Sequence, residues 1–439
     1  MKLATVLGLN ARTRLYAYKY NSRIGKKIAD SKLQSAKVFK RQDIAHPEIY
    51  AKFRRPQDIS SFDWESLPSS FALKPSRGLG GEGIVVVKRK TKDGKGWITT
   101  QRDRVTIEDL KLQILDILEG AYSMGNVPDV AFIQEYVGRH KTFRKYAYRG
   151  TPDIRIIVFN KVPVMAMLRL PTKESAGRAN LHQGAIGVGV DIATGITTKA
   201  IWHDSQLSLK PGTNRKLRGI KIPDWTAVLE MASRAQIASG MGYLGVDVVL
   251  HPEKGPMVLE LNAQPGLQIQ LANEAGLKKR LERVEDLEII DSEHGVKVAK
   301  ALFAERFADR VKAEAGLKTV KAVEEVKIRD YKGNKVGALA KIDTGAWSST
   351  IDRNLAKQLG LLKKTNILLY RRKISSFGKE RRAVIPLTFW LAGRKIRTRV
   401  SVSDRSDLTH KLLVGRIDLT GFLVNPEIEE EQFQTATKW

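Results

Sequence analysis

Short apolar runs bounded by glycine or charge recur through the first two-thirds of the chain. They read SFALKP (70–75), GIVVVK (83–88), VAFIQEYV (130–137), DIRIIVF (153–159), PVMAMLRL (163–170), YLGVDVVL (243–250) and PMVLELNA (256–263). Each has strand length and is rich in Val, Ile or aromatic residues. Helical periodicity falls between some of them, at about 106–120 and 225–240, and an earlier helix is expected over 28–41. Strand pairs with intervening helices predict an α+β class.

The texture changes after residue 290. A helix is expected over 292–311, where Val298, Leu302, Phe303, Phe307 and Val311 make one apolar stripe. The Lys-rich stretch KAEAGLKTVKAVEE follows, and a linker is expected over 312–322. Beyond it, EVKIRDY, VGALAKIDTGA, RAVIPLTFWLAG, KIRTRVSV and KLLVGRIDL read as short strands with glycine-containing turns, with one helix near 352–360. The expected partition is a short N-terminal extension (1–27), an α+β domain with its closing helix (28–311), the linker, and a small all-β domain (323–439). No repeat of about 20–50 residues appears, which argues against solenoids and propellers.

Charge alters this picture more than composition does. Of 439 residues, 42% are hydrophobic and 28% charged, an ordinary globular balance, yet 76 Lys and Arg against 47 Asp and Glu leave a net charge of +29. Such a surplus attracts anionic partners over about 8–10 Å at physiological salt. The chain has no cysteine, which excludes disulfides, thiol nucleophiles and Cys-based metal sites. Its apolar runs fall short of the ~20 residues of a membrane-spanning helix, and Leu3–Leu9 is too short for a signal-peptide core. The expectation is a soluble, cytoplasmic protein without a membrane partner.

Two groups of residues carry candidate chemistry in the larger domain. In FALKPSRGLGGEGIVVVK, Gly78, Gly80, Gly81 and Gly83 connect two predicted strands. Glycines let backbone N–H groups curl around a phosphate, and Lys74 at the strand end can meet that phosphate; a flexible glycine hairpin is the structural alternative. The spacing fits neither a dinucleotide fingerprint nor a P-loop. Further on, Glu260 and Asn262 stand two apart and share a strand face, with Asp247 on the preceding strand. Three oxygen donors beside phosphate suit magnesium. Polar residues at strand ends would explain any one of the three, but a carboxylate in an apolar strand is costly without a partner.

In order, FALKPSRGLGGEGI, FIQEYV, DIRIIVF, GRANLHQGA, GVDVVL and VLELNAQPG resemble the motifs of ATP-grasp ligases, closest to the RimK-like α-L-glutamate ligases, over about 28–290. The resemblance implies an ATP-grasp fold, two α+β subdomains clasping ATP. The implied chemistry is phosphorylation of a carboxylate, followed by amine attack on the acyl phosphate to give an amide. It implies that Lys32 and Lys74 contact ATP phosphates and that the 78–83 loop closes over them. Gln134, Glu135, Tyr136 and Val137 would form the adenine hinge, Asp153 would reach the ribose, and Arg178 and Asn180 would contact phosphates. Asp247, Glu260 and Asn262 would hold two Mg²⁺, with Mn²⁺ as a substitute. Arg155 and Arg169 are candidates for holding the acyl phosphate or substrate carboxylate, the alternative being pairing to an acidic neighbour. His182 could deprotonate the amine or serve as a hydrogen-bonding spacer. The family usually has a full α/β domain where only about 27 residues stand here.

In the C-terminal domain, Asp343, Thr344 and Gly345 follow an apolar strand, and LLVGR ends at Gly415 and Arg416. This pattern resembles retropepsin-like aspartic proteases, specifically the RimB-type branch labelled ATP-dependent zinc proteases, and implies a small all-β barrel. No H-E-x-x-H occurs and no zinc is expected. Two carboxylates sharing a proton are needed for such chemistry. Asp343 would find its partner across a homodimer two-fold, or Asp418 would act as the second acid; a turn built on Asp-Thr-Gly is the structural alternative.

Basic runs at Lys88-Arg89-Lys90, Lys278-Lys279-Arg280, Arg371-Arg372-Lys373 and Arg394–Arg399 suggest electrostatic capture of an acidic chain or of RNA or a ribosome, or simply a solvated face. No base-reading motif is present. The leading expectation is a glutamate ligase-like enzyme acting on an amino acid or acidic peptide or protein. A fused peptidase would trim the same kind of bond. The rivals are a ligase with an inert dimerising tail and a non-enzymatic RNA-binding protein.

Overall fold

Apolar alternation and β-branching organise the chain into sheets. The computed structural model describes residues 5–78, 80–203, 205–303, 318–375 and 378–425. They fall into two units, Met1–Ala299 and Lys300–Trp439.

The first unit contains two antiparallel sheets. Strands β1 (Ile49–Phe53), β2 (Phe71–Pro75), β3 (Val85–Lys90), β4 (Trp97–Thr99), β5 (Arg104–Val105) and β6 (Ala131–Glu135) form a six-stranded sheet in the order β1-β6-β2-β3-β4-β5. The helix Ile107–Leu118 covers it. Thr106 and Asp109 cap that helix reciprocally, and Leu110, Ile114 and Ile117 recur at helical spacing on its buried side. These residues pack with Phe71, Leu73, Val87 and Trp97 in one core.

Strands β7 (Asp153–Phe159), β8 (Val162–Leu170), β9 (Ile186–Val190), β10 (Thr197–Trp202), β11 (Ser205–Leu207), β12 (Tyr243–His251) and β13 (Gly255–Asn262) form the second sheet, ordered β11-β10-β9-β8-β7-β12-β13. The helix Trp225–Ser239 buries Val228, Leu229, Ala232 and Ala235. Near the start, Leu9–Ala11, Arg12–Ala17 and Tyr18–Tyr20 run on as one helical segment with a wide central turn. Its Tyr16 and Tyr20 rings meet Phe159 edge-on at 5.4 and 4.9 Å. The helix expected over 28–41 is two helices, Arg23–Ala29 and Lys32–Arg41. Ser31 separates them because its hydroxyl accepts the Gln34 N–H and starts the second. The helix expected over 292–311 is described from Ser292 to Leu302, and Phe307 and Val311 lie outside the described residues.

The second unit is a closed barrel. Its strands are β14 (Lys318–Val320), β15 (Val323–Arg329), β16 (Lys335–Asp343), β17 (Thr350–Asp352), β18 (Leu369–Ser375), β19 (Gly378–Leu391), β20 (Arg394–Ser403), β21 (Leu412–Gly415) and β22 (Phe422–Val424). The order β15-β16-β21-β17-β20-β19 closes through a β15–β19 pairing into six strands, and β18 extends from β19. β14 pairs in parallel with β22, so strand structure begins within the stretch expected as linker; 312–317 lie outside the described residues. Among the described residues no helix is long and apolar enough to cross a membrane.

Phe389 sits at the closure, paired in register with Ile328 and Ile396 and fully buried. Phe389→Ala should destabilise the barrel by about 3–5 kcal/mol, since both transfer energy and packing are lost. Urea denaturation of the intact chain, followed by Trp fluorescence and compared with the parent, checks this.

Candidate active site

Cross-strand register assembles a line of charges on the second sheet. Asp247 on β12 lies opposite Glu260 on β13 and opposite Arg155 on β7, while Asp153 on β7 lies opposite Arg169 on β8. Residues two apart share a face, so these side chains meet on one side of the sheet. Arg155 donates from Nε to Asp247 Oδ1 and from Nη2 to Oδ2, the latter at 2.6 Å. Arg169 donates to Asp153 at 2.5 and 2.8 Å and reaches Asp247 Oδ2 at 2.7 Å. Burial opposes the Asp247 charge, but Arg155 and Arg169 outweigh it and hold the carboxyl below its usual range. Burial pushes Asp153 up to about 6, with Arg169 opposing and Asp247 adding to the rise. Arg155 and Arg169, expected to meet substrate, are thus engaged by Asp247 and Asp153. Asp153, expected at a ribose, is held by Arg169.

Asn262 Nδ2 also donates to Asp247 Oδ2, at 3.3 Å. A carboxylate offers about four lone-pair positions, and Asp247 receives three guanidinium bonds and this amide. Glu260 is more open, with a side chain 37% exposed and Lys32 Nζ 3.9 Å from its Oε1. Among the described residues no group of three or more His, Cys, Asp or Glu is arranged for a metal. The donors that fit a hard divalent cation are Glu260 and the amide oxygen of Asn262, with Asp247 joining on release of one N–H bond.

Two lysines face these donors. Lys32 opens the helix Lys32–Arg41, and its Nζ donates to the Gly78 carbonyl at 3.2 Å. Lys74 lies on β2, 9% exposed, and its ammonium has no hydrogen-bond partner among the described residues. Burial lowers its pKa to about 8, helped by Lys32 and opposed by Glu260. The glycine loop stands next to it. Gly80 and Gly81 have φ of +64° and +82°, a region that side chains with a Cβ rarely adopt. Asn180 Nδ2 donates to the Gly80 carbonyl at 3.3 Å, and the Arg178 chain passes Gly81.

The hinge segment lies on the same wall. Gln134 and Glu135 end β6, and Tyr136 and Val137 follow. Glu135 turns its carboxylate to Lys254, with His251 3.5 Å away and the Glu48 N–H donating at 3.2 Å, so that side chain has a structural use. Thr151 Oγ1 donates to the Val137 carbonyl at 2.6 Å and closes the excursion between them.

One cleft of about 660 Å³ gathers Lys32, Lys74, Gly78, Gly80, Gly81, Gln134 to Val137, Asp153, Arg155, Arg169, Arg178, Asn180, Asp247, Glu260 and Asn262. Gly83 does not line it and stands against the Tyr122 ring. His182 lines the cleft and a smaller neighbouring cavity of about 210 Å³. Sequence reasoning missed Gln101, Met167, Val249 and Leu259 on the cleft wall. Met167 and Val249 stand two residues from Arg169 and Asp247, a spacing that would have found them. Leu259 sits at a register shift between β12 and β13, which simple alternation does not reveal.

In the barrel, Asp343 ends β16 beside Gly415 at the end of β21. Its Oδ1 accepts the N–H groups of Gly345 and Ala346, both at 2.9 Å, while Thr344 is exposed. Asp418 is buried and accepts the Ser349 hydroxyl, which in turn accepts the Gly415 N–H at 3.0 Å.

Structural comparison matches the ATP-grasp ligase PsnB complexed with minimal precursor, at 15% identity and a TM-score of 0.33, over 61% of this chain and 63% of that chain. The L-amino acid ligase from Bacillus licheniformis gives 10% and 0.32, over 57% and 43%. The protease of simian foamy virus gives 22% and 0.17, over 22% and 90%. The chain thus spans less than two-thirds of the length of these ligases. None of the curated proteins compared matches it in sequence. A family model described as sugar-transfer associated ATP-grasp matches residues 11–286. That stretch is more than half of the chain, and the chain belongs to the sugar-transfer associated ATP-grasp family.

Proposed function

We propose that this protein is an ATP- and Mg²⁺-dependent ligase that joins a carboxylate to an amine, with glutamate or an acidic peptide as the substrate class. The observation carrying this reading is Lys74, a buried ammonium with no hydrogen-bond partner among the described residues, in a cleft that also holds Glu260 and Asn262. A buried charge left unpaired is costly, and an anionic phosphate supplies the missing partner. In the proposed reaction a carboxylate oxygen attacks the γ-phosphorus and the bond to ADP breaks. The amine nitrogen then attacks the acyl carbon, phosphate leaves, and the amine proton passes to solvent. Lys32, Lys74 and the glycine loop would orient the triphosphate, and Arg178 and Asn180 would approach it from across the loop. Mg²⁺ at Glu260 and Asn262, two ions when Asp247 joins, would neutralise phosphate charge, and Mn²⁺ could substitute. Arg155 and Arg169 are the cations next in line to meet the acyl phosphate.

Glu260→Gln should lower Mg²⁺-dependent ADP release at least about 100-fold while ATP still binds. A panel of amino acids and acidic peptides, assayed for coupled ADP release, checks both the loss and the substrate class. ADP release without any carboxylate requirement would count against the ligase reading.

Lys74 supplies a pH signature. With a pKa of about 8 in the free protein, it should take up close to half a proton per ATP bound at pH 8, and little below pH 7. Calorimetry in buffers of different ionisation enthalpy measures this, and Lys74→Met should abolish it. The same group sets a stability slope. The unfolded chain keeps the proton up to the ordinary value of 10.5, so stability contributed here rises as pH increases from about 8 to 10.5.

For the barrel we propose a retropepsin-like site in which Asp343 of two copies of this chain forms the acid pair. The meeting of β16 and β21 at Asp343 and Gly415 supports it. Asp418 is the weaker second acid, since its carboxylate is already bonded to Ser349. Asp343→Asn should abolish cleavage of the ligase product without changing the sedimentation coefficient. Unchanged cleavage would leave the barrel as an inert or dimerising tail.

A further inference from the structure

Two segments of the first unit, 138–150 and 205–222, hold ten lysines and arginines and no acidic residue. They are distant in sequence and joined in space. The Lys145 carbonyl accepts bonds from Lys210 Nζ at 2.9 Å and Arg215 Nη1 at 3.3 Å. Lys141, Arg144, Lys145, Arg215 and Lys216 are exposed. These five cations and Lys210 form no ion pair with a carboxylate among the described residues. Burial and then the neighbouring Arg215 and Arg139 depress the Lys210 pKa, as expected where like charges crowd together.

The face adjoins the cleft. Val137 and Gly150, which bracket the first segment, both line the cleft wall. Arg149 donates to the Gln101 carbonyl at 2.6 Å and fastens the segment to that wall. The carboxylate of Asp224 acts on His140 at the edge of this face, but ten cations outnumber it, and such an excess at the mouth of a site raises the local concentration of an anionic ligand. The aromatic residues distinguish between polyanions. Phe143 is buried, Tyr146 and Tyr148 are half-buried, and Lys145 and Arg149 lie over the two tyrosine rings. A cation thus already lies over each tyrosine ring where a nucleobase would stack, whereas carboxylates need only the cations.

We propose that this basic face captures an acidic polypeptide beside the cleft. That the captured chain is then a substrate rests on the ligase reading; the capture itself does not require it.

The test uses the full chain without nucleotide and a fluorescein-labelled oligoglutamate peptide, read by anisotropy across a salt series. Lys141→Glu/Arg144→Glu/Lys216→Glu changes exposed side chains that hold no hydrogen bond among the described residues. It should weaken binding by about tenfold or more and flatten the salt dependence. The control Lys27→Glu/Lys37→Glu/Lys40→Glu alters net charge equally on another face and should leave affinity within about twofold. Equal weakening by both triple variants would overturn the proposal in favour of net charge alone. Tighter binding of a single-stranded RNA, lost in the first variant, would overturn it in favour of a nucleic-acid surface. Peptide capture that persists in a protein releasing no ADP would support this surface and count against the ligase reading alone.

Discussion

The Asp247 carboxylate held between the guanidiniums of Arg155 and Arg169 is the constraint around which the second sheet and its cleft are organised. Three strands contribute charge to that contact, and a fourth adds Glu260 opposite Asp247. Ions taken from water must be repaid by geometry, and the register does so by setting opposite signs directly across from one another. With Asp153 included, two carboxylates and two guanidiniums balance, so the floor of the cleft is internally neutral. The positive charge left without a close carboxylate partner lies elsewhere in the cleft, at Lys74, while Lys32 stands 3.9 Å from Glu260.

This division has a chemical use. Lys74 is buried with its pKa lowered to about 8, so an anion placed beside it would favour the protonated form. Arg155 and Arg169, by contrast, are already paired with the carboxylates of Asp247 and Asp153. The Asp247 carboxylate already accepts three guanidinium bonds and one amide bond, so a further partner for it would displace one of these four. The family match covers this whole sheet and leaves the barrel outside it.

Much of this was legible in the sequence. Val- and Ile-rich runs marked β7, β8, β12 and β13 nearly to the residue, and the two-residue spacing of Glu260 and Asn262 placed them on one face. What periodicity alone could not supply was pairing between strands, and that decides whether Arg155 and Arg169 look outward or turn to Asp247. β9 is absent from the expected strands because IGVGV carries glycine at every second position, which leaves side chains on one face only and no apolar–polar alternation to read. Gly189 is there for close approach: a Cβ would stand 2.3 Å from the Ala272 carbonyl oxygen. The single helix expected over 28–41 hid a break because Ser31 is read as helix-tolerant until its hydroxyl is seen capping Gln34. In the barrel, β17 and β22 are three residues long, too short for alternation to register, yet β17 lies between β20 and β21.

The strands β14 and β22, at the two ends of the barrel unit, run parallel and side by side. Force applied at the entry of one and the exit of the other is therefore directed along the strands in opposite senses. Such a load shears the inter-strand bonds together, where an antiparallel ribbon would open them one at a time. The two strands thus form a mechanical clasp, and a load drawn across the barrel between them meets the shear resistance of Lys318–Val320 against Phe422–Val424.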